Sequence, residues 1–431
     1  MPPTTTTRRA WLVWGIGVSA YLVAFFHRVT LNVAAGETAD RLGVSTGALG
    51  IFAFLQVGAY LAMQLPAGFA ADRLGPRRTL TLGLLAIAVG ETIFAVAHSL
   101  PVALVGRALV GVGDAVTFVN VLRLVQSWFP ERRQALLIAL TGVAGGIGSL
   151  VATIPLQASL SGPGWGATFA ITVGVAVALA AVAYAVVRDR PAGAPAPRHD
   201  DHPPLAETIA AAWRRPTTRR AFYAHVGTLG PFAALGTIWA VPYLEHAQGV
   251  DDATAASLVL AIAVAFTAAI PLVGLTGHWP PRARAALLIV PGVLQVAGLA
   301  ALLAWPGTVT PRLLVVAVLA LVGLNAAASV SCFDIARRST PQSAGGITVA
   351  IVNCGGFTAA AVGSAVIGLW LGGDPGPARF EQAVLGVMLA ITAIGFLGST
   401  RLTGELAAER QREAARTPAQ TSATSAARAS S

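Results

Sequence analysis

Lysine is absent from this sequence of 431 residues, and charged residues of any kind are scarce. They make up 11 % of the chain against 55 % apolar residues, and the mean hydropathy is +0.69. A soluble domain carries about a quarter charged residues, so this composition excludes an ordinary soluble protein. Without lysine the chain cannot build a phosphate-binding P-loop, and we expect no ATP-driven step in it. The two cysteines, Cys332 and Cys354, fall in apolar segments, and we interpret them as packing residues rather than a disulfide.

Long apolar runs take up most of the chain. About 20 apolar residues suffice to cross the hydrocarbon core of a bilayer, and the backbone must satisfy its own hydrogen bonds there, so such runs form helices. The sequence therefore predicts an all-α membrane protein with twelve transmembrane helices. The twelve runs start near Trp11, Gly47, Thr79, Val102, Ala135, Gly166, Ala221, Ala253, Ala285, Arg312, Gly345 and Glu381.

The net charge of +10 is distributed unevenly between the predicted loops. With the N-terminus inside, most of the 29 basic residues, all of them arginine, fall on the inner side. Three arginines fall outside (Arg41, Arg312 and Arg379), and two lie within helices (Arg28 and Arg107). Such an excess is typical of cytoplasmic loops, so we predict a multi-pass protein of the cytoplasmic membrane with both termini in the cytoplasm. The basic charge then reflects topology, and we expect no nucleic-acid partner.

A polar stretch rich in Pro, Ala and Arg follows the sixth apolar run and divides the chain into two halves. The halves are weakly repeated, since a similar Gly- and Arg-containing stretch follows the second run (residues 68–78) and the eighth run (residues 274–284). We predict a cytoplasmic N-terminal tail (1–10), an N-terminal six-helix bundle (11–188), a flexible cytoplasmic linker (189–220), a C-terminal six-helix bundle (221–402) and a disordered cytoplasmic tail (403–431).

The sequence GFAADRLGPRRTL, which starts at Gly68, resembles the loop signature of the major facilitator superfamily of transporters. With twelve helices and a central linker, the resemblance covers roughly residues 10–402. It implies two pseudo-symmetric six-helix bundles that rock against each other, in a protein that works as a monomer. In that family the aspartate of the motif braces a helix N-terminus and an arginine of the fourth helix. Carried over, Asp72 would pair with Arg123 and the dipole of the eleventh helix, and would stabilise the outward-facing state. The predicted gating residues in this region are Asp72, Arg73, Arg77 and Arg123.

A second resemblance lies in the first and fourth helices. The stretches HRVTLNVAA from His27, GRALVGVGDAVTF from Gly106 and SWFPERRQ from Ser127 are similar to the organic-anion and sugar-phosphate-permease-like branch of that superfamily. The drug-antiporter signature of the fifth helix is only partly present, because Gly146 is not followed by proline. The resemblance implies a small organic solute as substrate and argues against a multidrug exporter.

Arg28 is an ionisable side chain within the first helix. Such a group at mid-membrane costs about 2.5–3.5 kcal/mol on insertion scales and is a functional candidate by default. Tyr21, Arg28 and Asn32 share one face of that helix. Because a buried arginine does not discharge, it needs an anion, and we predict that these three residues bind an anionic substrate. The alternatives are an interhelical ion pair or snorkelling of Arg28 to the outer interface.

Asp114 and Arg107 share one face of the fourth helix, with Asp114 close to mid-membrane. Burial and a neighbouring arginine act in opposite directions on the proton affinity of a carboxyl group, so such an aspartate can load and release a proton. We predict that Asp114 couples transport to a proton, together with Arg107 and with Glu91 of the third helix. The alternatives are a permanently ionised Asp114 paired with Arg28 or Arg107, and a packing role for Glu91.

The second half offers aromatic and uncharged polar residues. Trp239 and Tyr243 recur on one face of the seventh helix, which the family resemblance places at the cavity. Asn325 in the tenth helix and Asn353 in the eleventh offer hydrogen bonds. We predict substrate contacts for these four residues, with packing or helix capping as the alternative. Asp334 lies beside two arginines near the cytoplasmic end of the tenth helix, and we predict a gating salt bridge there.

These features predict a secondary active transporter, a proton symporter, that moves a small anionic organic solute by alternating access. Its partners would be the substrate, H⁺ and the lipid bilayer, and we expect no cofactor, no metal and no enzymatic activity. Three alternatives stay open. A drug or metabolite exporter would have a cavity with few charges, a uniporter would need no titrating Asp114, and a permease-like sensor would need a docking domain.

Overall fold

The computed structural model describes residues 7–43, 49–151, 154–192, 204–276, 279, 281–306, 310–338, 340, 344–371 and 376–401, and most of them are helical. The first half contains α1 (Arg8–Val33), α2 (Ala35–Leu42), α3 (Leu49–Arg73), α4 (Pro76–Ala95), α5 (Leu100–Trp128), α6 (Glu131–Val151), α7 (Ile154–Ser161) and α8 (Gly164–Val186). The remainder contains α9 (Leu205–Arg214), α10 (Pro216–Ala234), a π-helical turn (Leu235–Trp239), α11 (Ala240–His246), α12 (Asp252–Leu275), α13 (Pro281–Leu303), α14 (Arg312–Ala328), α15 (Val330–Arg338), α16 (Gly345–Leu371) and α17 (Pro377–Arg401).

Each of the twelve apolar runs corresponds to a helix or to a broken helix. Within the described ranges, nine helical segments are long and apolar enough to cross a membrane by length and composition: α1, α4, α5, α8, α12, α13, α14 with α15, α16 and α17. The other three predicted spans are α3, α6 with α7, and α10 with the π turn and α11.

Local chemistry explains several helix boundaries. The hydroxyl of Thr7 accepts a hydrogen bond from the amide of Ala10 at 3.2 Å and caps α1. Asp251 caps α12 in the same way, and hydrogen bonds from Thr254 hold the pKa of the Asp251 carboxyl below its usual range. Gly75, with φ of 81°, makes the tight turn between α3 and α4, a backbone conformation that suits glycine.

The two halves meet along a seam in which α3 packs on α16, and α6 packs on α12 and α15. We call the side on which α3 ends and α4 begins the arginine-rich face, because Arg73, Arg77 and Arg123 lie there. Helices α3 and α16 approach closely near this face, since a Cβ on Gly68 would lie 2.7 Å from the carbonyl oxygen of Gly346. The described contacts between the halves concentrate between this face and the middle of the helices.

The segment predicted as a flexible linker contains the helix α9. Ala212 of α9 is buried in a cluster with Ile347 and Ile351 of α16. Leu65 and Phe69 of α3 pack against the same cluster, so α9 contacts both halves near the arginine-rich face. The helix is amphipathic, and burying its apolar side fixes a segment whose overall composition indicated a flexible chain. The predicted boundaries of the two bundles stay a prediction.

Candidate functional site

Arg28 and Asp114 form an ion pair between α1 and α5. The Nε of Arg28 donates to Oδ2 of Asp114 at 2.7 Å, and Nη2 donates to Oδ1 at 3.0 Å. The side chain of Asp114 is 1 % exposed, whereas that of Arg28 is 18 % exposed. A bidentate, charge-assisted pair of this kind fixes the geometry of both groups. The sequence left two possible partners for Asp114, Arg28 and Arg107, and in the structure Asp114 pairs with Arg28.

Three aromatic rings surround the guanidinium of Arg28. Its Cζ lies 4.1 Å from the ring centre of Phe25, 4.7 Å from that of Tyr60 and 5.8 Å from that of Phe357. Ring faces attract a cation, and here they also shield it from water. Tyr21 is buried and packs edge-on against Phe25, with ring centres 5.4 Å apart. Because Phe357 belongs to α16, Arg28 lies at the seam between the two halves.

Asn353 of α16 links the second half to α3 beside this ring cluster. Its Nδ2 donates to the hydroxyl of Tyr60 at 2.9 Å and to Oε1 of Gln64 at 3.0 Å. All three side chains are buried. Since Tyr60 also contacts Arg28, hydrogen bonds and ring contacts run from Arg28 to α16. The structure therefore places Asn353 next to Arg28, although the side-chain Nδ2 of Asn353 already donates hydrogen bonds to Tyr60 and Gln64 of α3.

A second ionic cluster lies beside the first and is sealed from solvent. Arg107 and Glu91 are both 0 % exposed, and Nη1 of Arg107 lies 3.0 Å from Oε2 of Glu91. Arg107 also donates to Oε1 of Gln56 at 2.7 and 3.1 Å, to Oγ1 of Thr30 at 3.2 Å and to the carbonyl oxygen of His27 at 2.8 Å. Every nitrogen of this guanidinium thus has an acceptor. The cluster joins α1, α3, α4 and α5.

The two clusters meet at the backbone of α1. Arg107 holds the carbonyl oxygen of His27, and the Nε2 of Gln56 donates to the carbonyl oxygen of Arg28 at 3.4 Å. Both contacts position the stretch of α1 that carries Arg28. The structure does not bring Arg107 onto Asp114, although the sequence grouped them. Residues seven apart share a helix face but are separated by about 10 Å along the axis, so each finds its own partner.

Sequence reasoning missed five polar residues of these clusters: His27, Thr30, Gln56, Tyr60 and Gln64. One signal was available, because Gln56, Tyr60 and Gln64 recur every four residues and form a polar face on an otherwise apolar helix. His27 precedes Arg28 and lies 3.5 Å from Glu91 through its Nδ1. The sequence does not indicate that His27 is buried, because His27 and Arg28 face different sides of α1 and the pattern does not show what packs against each side.

Asp72 joins the halves at the arginine-rich face. Its Oδ1 accepts a hydrogen bond from the amide of Gly346 at 2.9 Å, and its Oδ2 accepts one from the amide of Ile347 at 3.0 Å. The Nε of Arg123 lies 3.2 Å from Oδ1. The amides belong to the N-terminus of α16, where free N–H groups and the helix dipole favour a carboxylate. The contacts that the family resemblance implied for Asp72 are present, and their role in gating stays a prediction.

The other predicted gating residues lie apart from this contact. Arg77 donates from Nε to the carbonyl oxygen of Tyr184 at 2.7 Å, and its amide donates to Asp189 at 2.7 Å, so it joins α4 to the end of α8 within one half. Arg73 is exposed and lies over the ring of Phe69 at 4.2 Å. Asp334 is buried in α15. Gating roles for these three residues stay predictions.

The remaining predicted substrate residues are spread over the second half. Asn325 donates to Oε1 of Gln295 at 2.9 Å inside that half, and Tyr243 is buried with its hydroxyl accepting from Gln248 at 3.2 Å. Trp239 ends the π turn, and its buried Nε1 has no hydrogen-bond partner in the described part of the chain. Asn32 falls in α1, but its side chain lies outside the described residues. Among the predicted substrate residues, the structure therefore groups only Tyr21, Arg28 and Asn353.

Comparison with known proteins assigns a family to this arrangement. The family model described as Major Facilitator Superfamily matches residues 17–364, which is most of the chain. A crystal structure of the fucose:proton symporter of Escherichia coli superposes with a TM-score of 0.70 at 16 % identity, covering 92 % of this chain and 99 % of that one. This likeness confirms the predicted fold of twelve helices in two six-helix bundles.

Curated relatives are similar over shorter stretches. A probable sulfoacetate transporter of Cupriavidus necator is 24 % identical over 160 residues, 37 % of each chain. A probable L-galactonate transporter of Escherichia coli is 28 % identical over 198 residues, 44 % of each chain. Each match therefore covers less than half of the length of the relative.

Proposed function

The chain belongs to the major facilitator superfamily of membrane transporters, which are not enzymes, and from that premise we propose that it carries a small organic anion across the membrane together with a proton. One observation carries the proposal: the partly exposed Arg28 is paired with the buried Asp114 at the seam between the halves. The names of the relatives, which include sulfoacetate and galactonate transporters, support an organic anion as substrate.

The ion pair suggests how a proton and an anion would be coupled. While Asp114 is ionised, it satisfies Arg28 through two hydrogen bonds. A proton that reaches Asp114 removes that negative charge and leaves the guanidinium without a counter-ion. An arginine at mid-membrane needs an anion, so the substrate would take the vacated place. Release of the proton would restore the pair and expel the substrate.

The contacts between the halves favour alternating access with the arginine-rich face closed. We assign this face to the cytoplasm, because arginine is enriched in cytoplasmic loops. The Asp72 contact with α16 and the close approach of α3 to α16 hold this side together. The described state would then be outward-facing, with Arg28 reached from outside. Opening of this face would require Asp72 to leave the N-terminus of α16.

The test uses the full chain, purified and reconstituted in liposomes with an alkaline interior, and measures uptake of labelled sulfoacetate, galactonate and other organic acids. Arg28→Lys keeps the charge but loses the planar fork, and we expect uptake to fall at least about tenfold. Asp114→Asn removes the titrating group, and we expect it to exchange substrate across the membrane without accumulating it. Undiminished uptake by Arg28→Lys and by Arg28→Ala would refute anion binding at Arg28.

Asp40 and Arg41 provide matched controls, since both are exposed in α2 at the opposite face. Arg41→Lys, Arg41→Ala and Asp40→Asn make the same changes as Arg28→Lys, Arg28→Ala and Asp114→Asn, and we expect uptake close to that of the parent. A uniporter is the second candidate, because the Nη1 of Arg28 donates no hydrogen bond to the described residues and could bind an anion beside an ionised Asp114. A uniporter would show no accumulation driven by pH in the parent protein, and Asp114→Asn would leave uptake unchanged.

A further inference from the structure

One edge of the Arg28 guanidinium is free of hydrogen bonds to the residues that the structure describes. Rings of Phe25, Tyr60 and Phe357 lie around the cation, and Asp114 occupies Nε and one side of Nη2. The Nη1 group makes no hydrogen bond within the described part of the chain, and the side chain is 18 % exposed. A ligand would therefore reach Arg28 through the edge that contains Nη1. One carboxylate or sulfonate group would pair with that edge through two parallel hydrogen bonds.

Among its described side chains, the first half supplies no further unpaired cation at this depth. Arg107 is 0 % exposed and is neutralised by Glu91, which His27 also contacts. Neither Arg107 nor His27 is accessible to a ligand from the seam. The titratable groups around the Arg28–Asp114 pair come from α1 (Tyr21, His27), α3 (Tyr60), α4 (Glu91), α5 (Arg107) and α16 (Cys354).

The second half supplies none either. Among its described side chains, His225 is the one basic group away from the helix ends. It is buried, and its Nδ1 accepts a hydrogen bond from the amide of Gly356 at 3.1 Å. A doubly protonated imidazole has no acceptor nitrogen, so His225 is neutral in this contact. Among the side chains that the structure describes, the seam therefore holds one cation, Arg28, and one titratable anion, Asp114, at the depth of the ion pair.

We propose that this site selects organic anions with a single negative charge and carries one of them with one proton, without net movement of charge. The inference rests on the proposed function and specifies its substrate class. The empty site contains one positive and one negative group, so its charge is zero. The loaded site contains Arg28, protonated Asp114 and the anion, and its charge is again zero. The proton taken up on Asp114 with the anion leaves with it on the other side.

A doubly charged substrate breaks this balance. Its second anionic group would enter the seam without a cation, and an unpaired charge within the membrane is strongly disfavoured when the site closes. We expect translocation of such a substrate to be slower by a factor on the order of a hundred. Sulfoacetate, which carries both a carboxylate and a sulfonate, belongs to this disfavoured class, so we expect this chain to differ in substrate charge from the relative of Cupriavidus necator. The aromatic and amide groups contributed by α16, Phe357 and Asn353, suit an uncharged remainder of the substrate.

The test compares matched acids that differ in one terminal group. Galactonate and galactarate, gluconate and glucarate, and glycerate and tartronate share a carbon chain, but the second of each pair carries two negative charges at neutral pH. Their uptake by liposomes that contain the full chain is measured with the membrane potential clamped by potassium and valinomycin. We expect uptake of a singly charged acid, at a rate that does not change between inside-positive and inside-negative potentials.

Each outcome decides the inference. Uptake of a doubly charged acid at a rate comparable to its singly charged match would overturn it, as would uptake that differs several-fold between inside-positive and inside-negative potentials. In both cases, loss of uptake in Arg28→Lys would leave the proposed anion transport intact. If no acid of any pair is taken up or competes for uptake, the proposed function fails, and the substrate class fails with it.

Discussion

Replacing Glu91 by glutamine should destabilise the whole protein rather than only change its proton coupling. Glu91 is the negative partner of Arg107, and both side chains are 0 % exposed. The other acceptors around Arg107, on Gln56, Thr30 and the backbone of His27, are neutral. Removing one partner of a buried pair costs about 3–5 kcal/mol, because the other charge stays buried and uncompensated. We expect the lower end, about 3 kcal/mol, because the neutral hydrogen bonds of Arg107 remain.

The assay is thermal unfolding of the purified protein in one detergent at one scan rate, since unfolding of such proteins is often irreversible. Glu91→Gln should lower the unfolding midpoint by several degrees. The double variant Glu91→Gln with Arg107→Gln should recover much of that loss, because no charge is then left unpaired. Glu131→Gln, at an exposed position in the first turn of α6, is the matched control and should change the midpoint little.

The opposite pattern would refute this reasoning. If Glu91→Gln unfolds at the midpoint of the parent while the pH dependence of uptake shifts, Glu91 exchanges protons during transport. The buried cluster would then be part of the coupling machinery, as the sequence predicted for Arg107 and Glu91. If the double variant is less stable than Glu91→Gln, the hydrogen bonds of Arg107, and not its charge balance, stabilise the fold.

Two further predictions concern the arginine-rich face. Asp72→Asn weakens the contact with Arg123 and with the start of α16, so the arginine-rich face should open more often. In a background without the other cysteine, Cys354, which lies near Tyr60, should then react several-fold faster with a thiol reagent. An unchanged reaction rate would contradict a gating role for Asp72. Ala212→Asp places a charge in the buried contact between α9 and α16, so trypsin should cleave the linker faster. Ala211→Asp, at an exposed neighbouring position, should not have this effect. Equal cleavage rates of the two variants would show that the contact of α9 with α16 does not protect the linker.

Hydropathy was sufficient to predict the long apolar helices of this protein. A segment in lipid must be helical and apolar over a fixed length, so the runs near Thr79, Val102 and Gly345 correspond to α4, α5 and α16. The linker is the place where composition misled, since the short amphipathic α9 is too brief to stand out within a Pro-rich stretch. The loop motif at Asp72 allowed the contact with Arg123 and α16 to be anticipated, because the family resemblance supplied a partner far away in sequence.

The pairing of the buried charges could not be read from the sequence. Arg28, Glu91, Arg107 and Asp114 stood out because ionisable groups are rare in membrane helices. Which acid faces which arginine depends on how α1, α4 and α5 are rotated and offset against one another. The sequence grouped Arg107 with Asp114 on one helix face, whereas packing gives Arg107 to Glu91 and Asp114 to Arg28. The roles of these residues in transport stay predictions.

The sequence by itself determined that the chain crosses a membrane repeatedly as helices, that it divides into two halves, and that a few ionisable residues lie within those helices. Those properties follow from the energy of placing each residue type in lipid, which depends on the residue and its neighbours in the chain. Only the tertiary structure decided that Arg107 is sealed in a neutral cluster, while the Nη1 of Arg28 makes no hydrogen bond to the described residues at the seam. That difference depends on side chains from five separate helices, and their distances are set by packing.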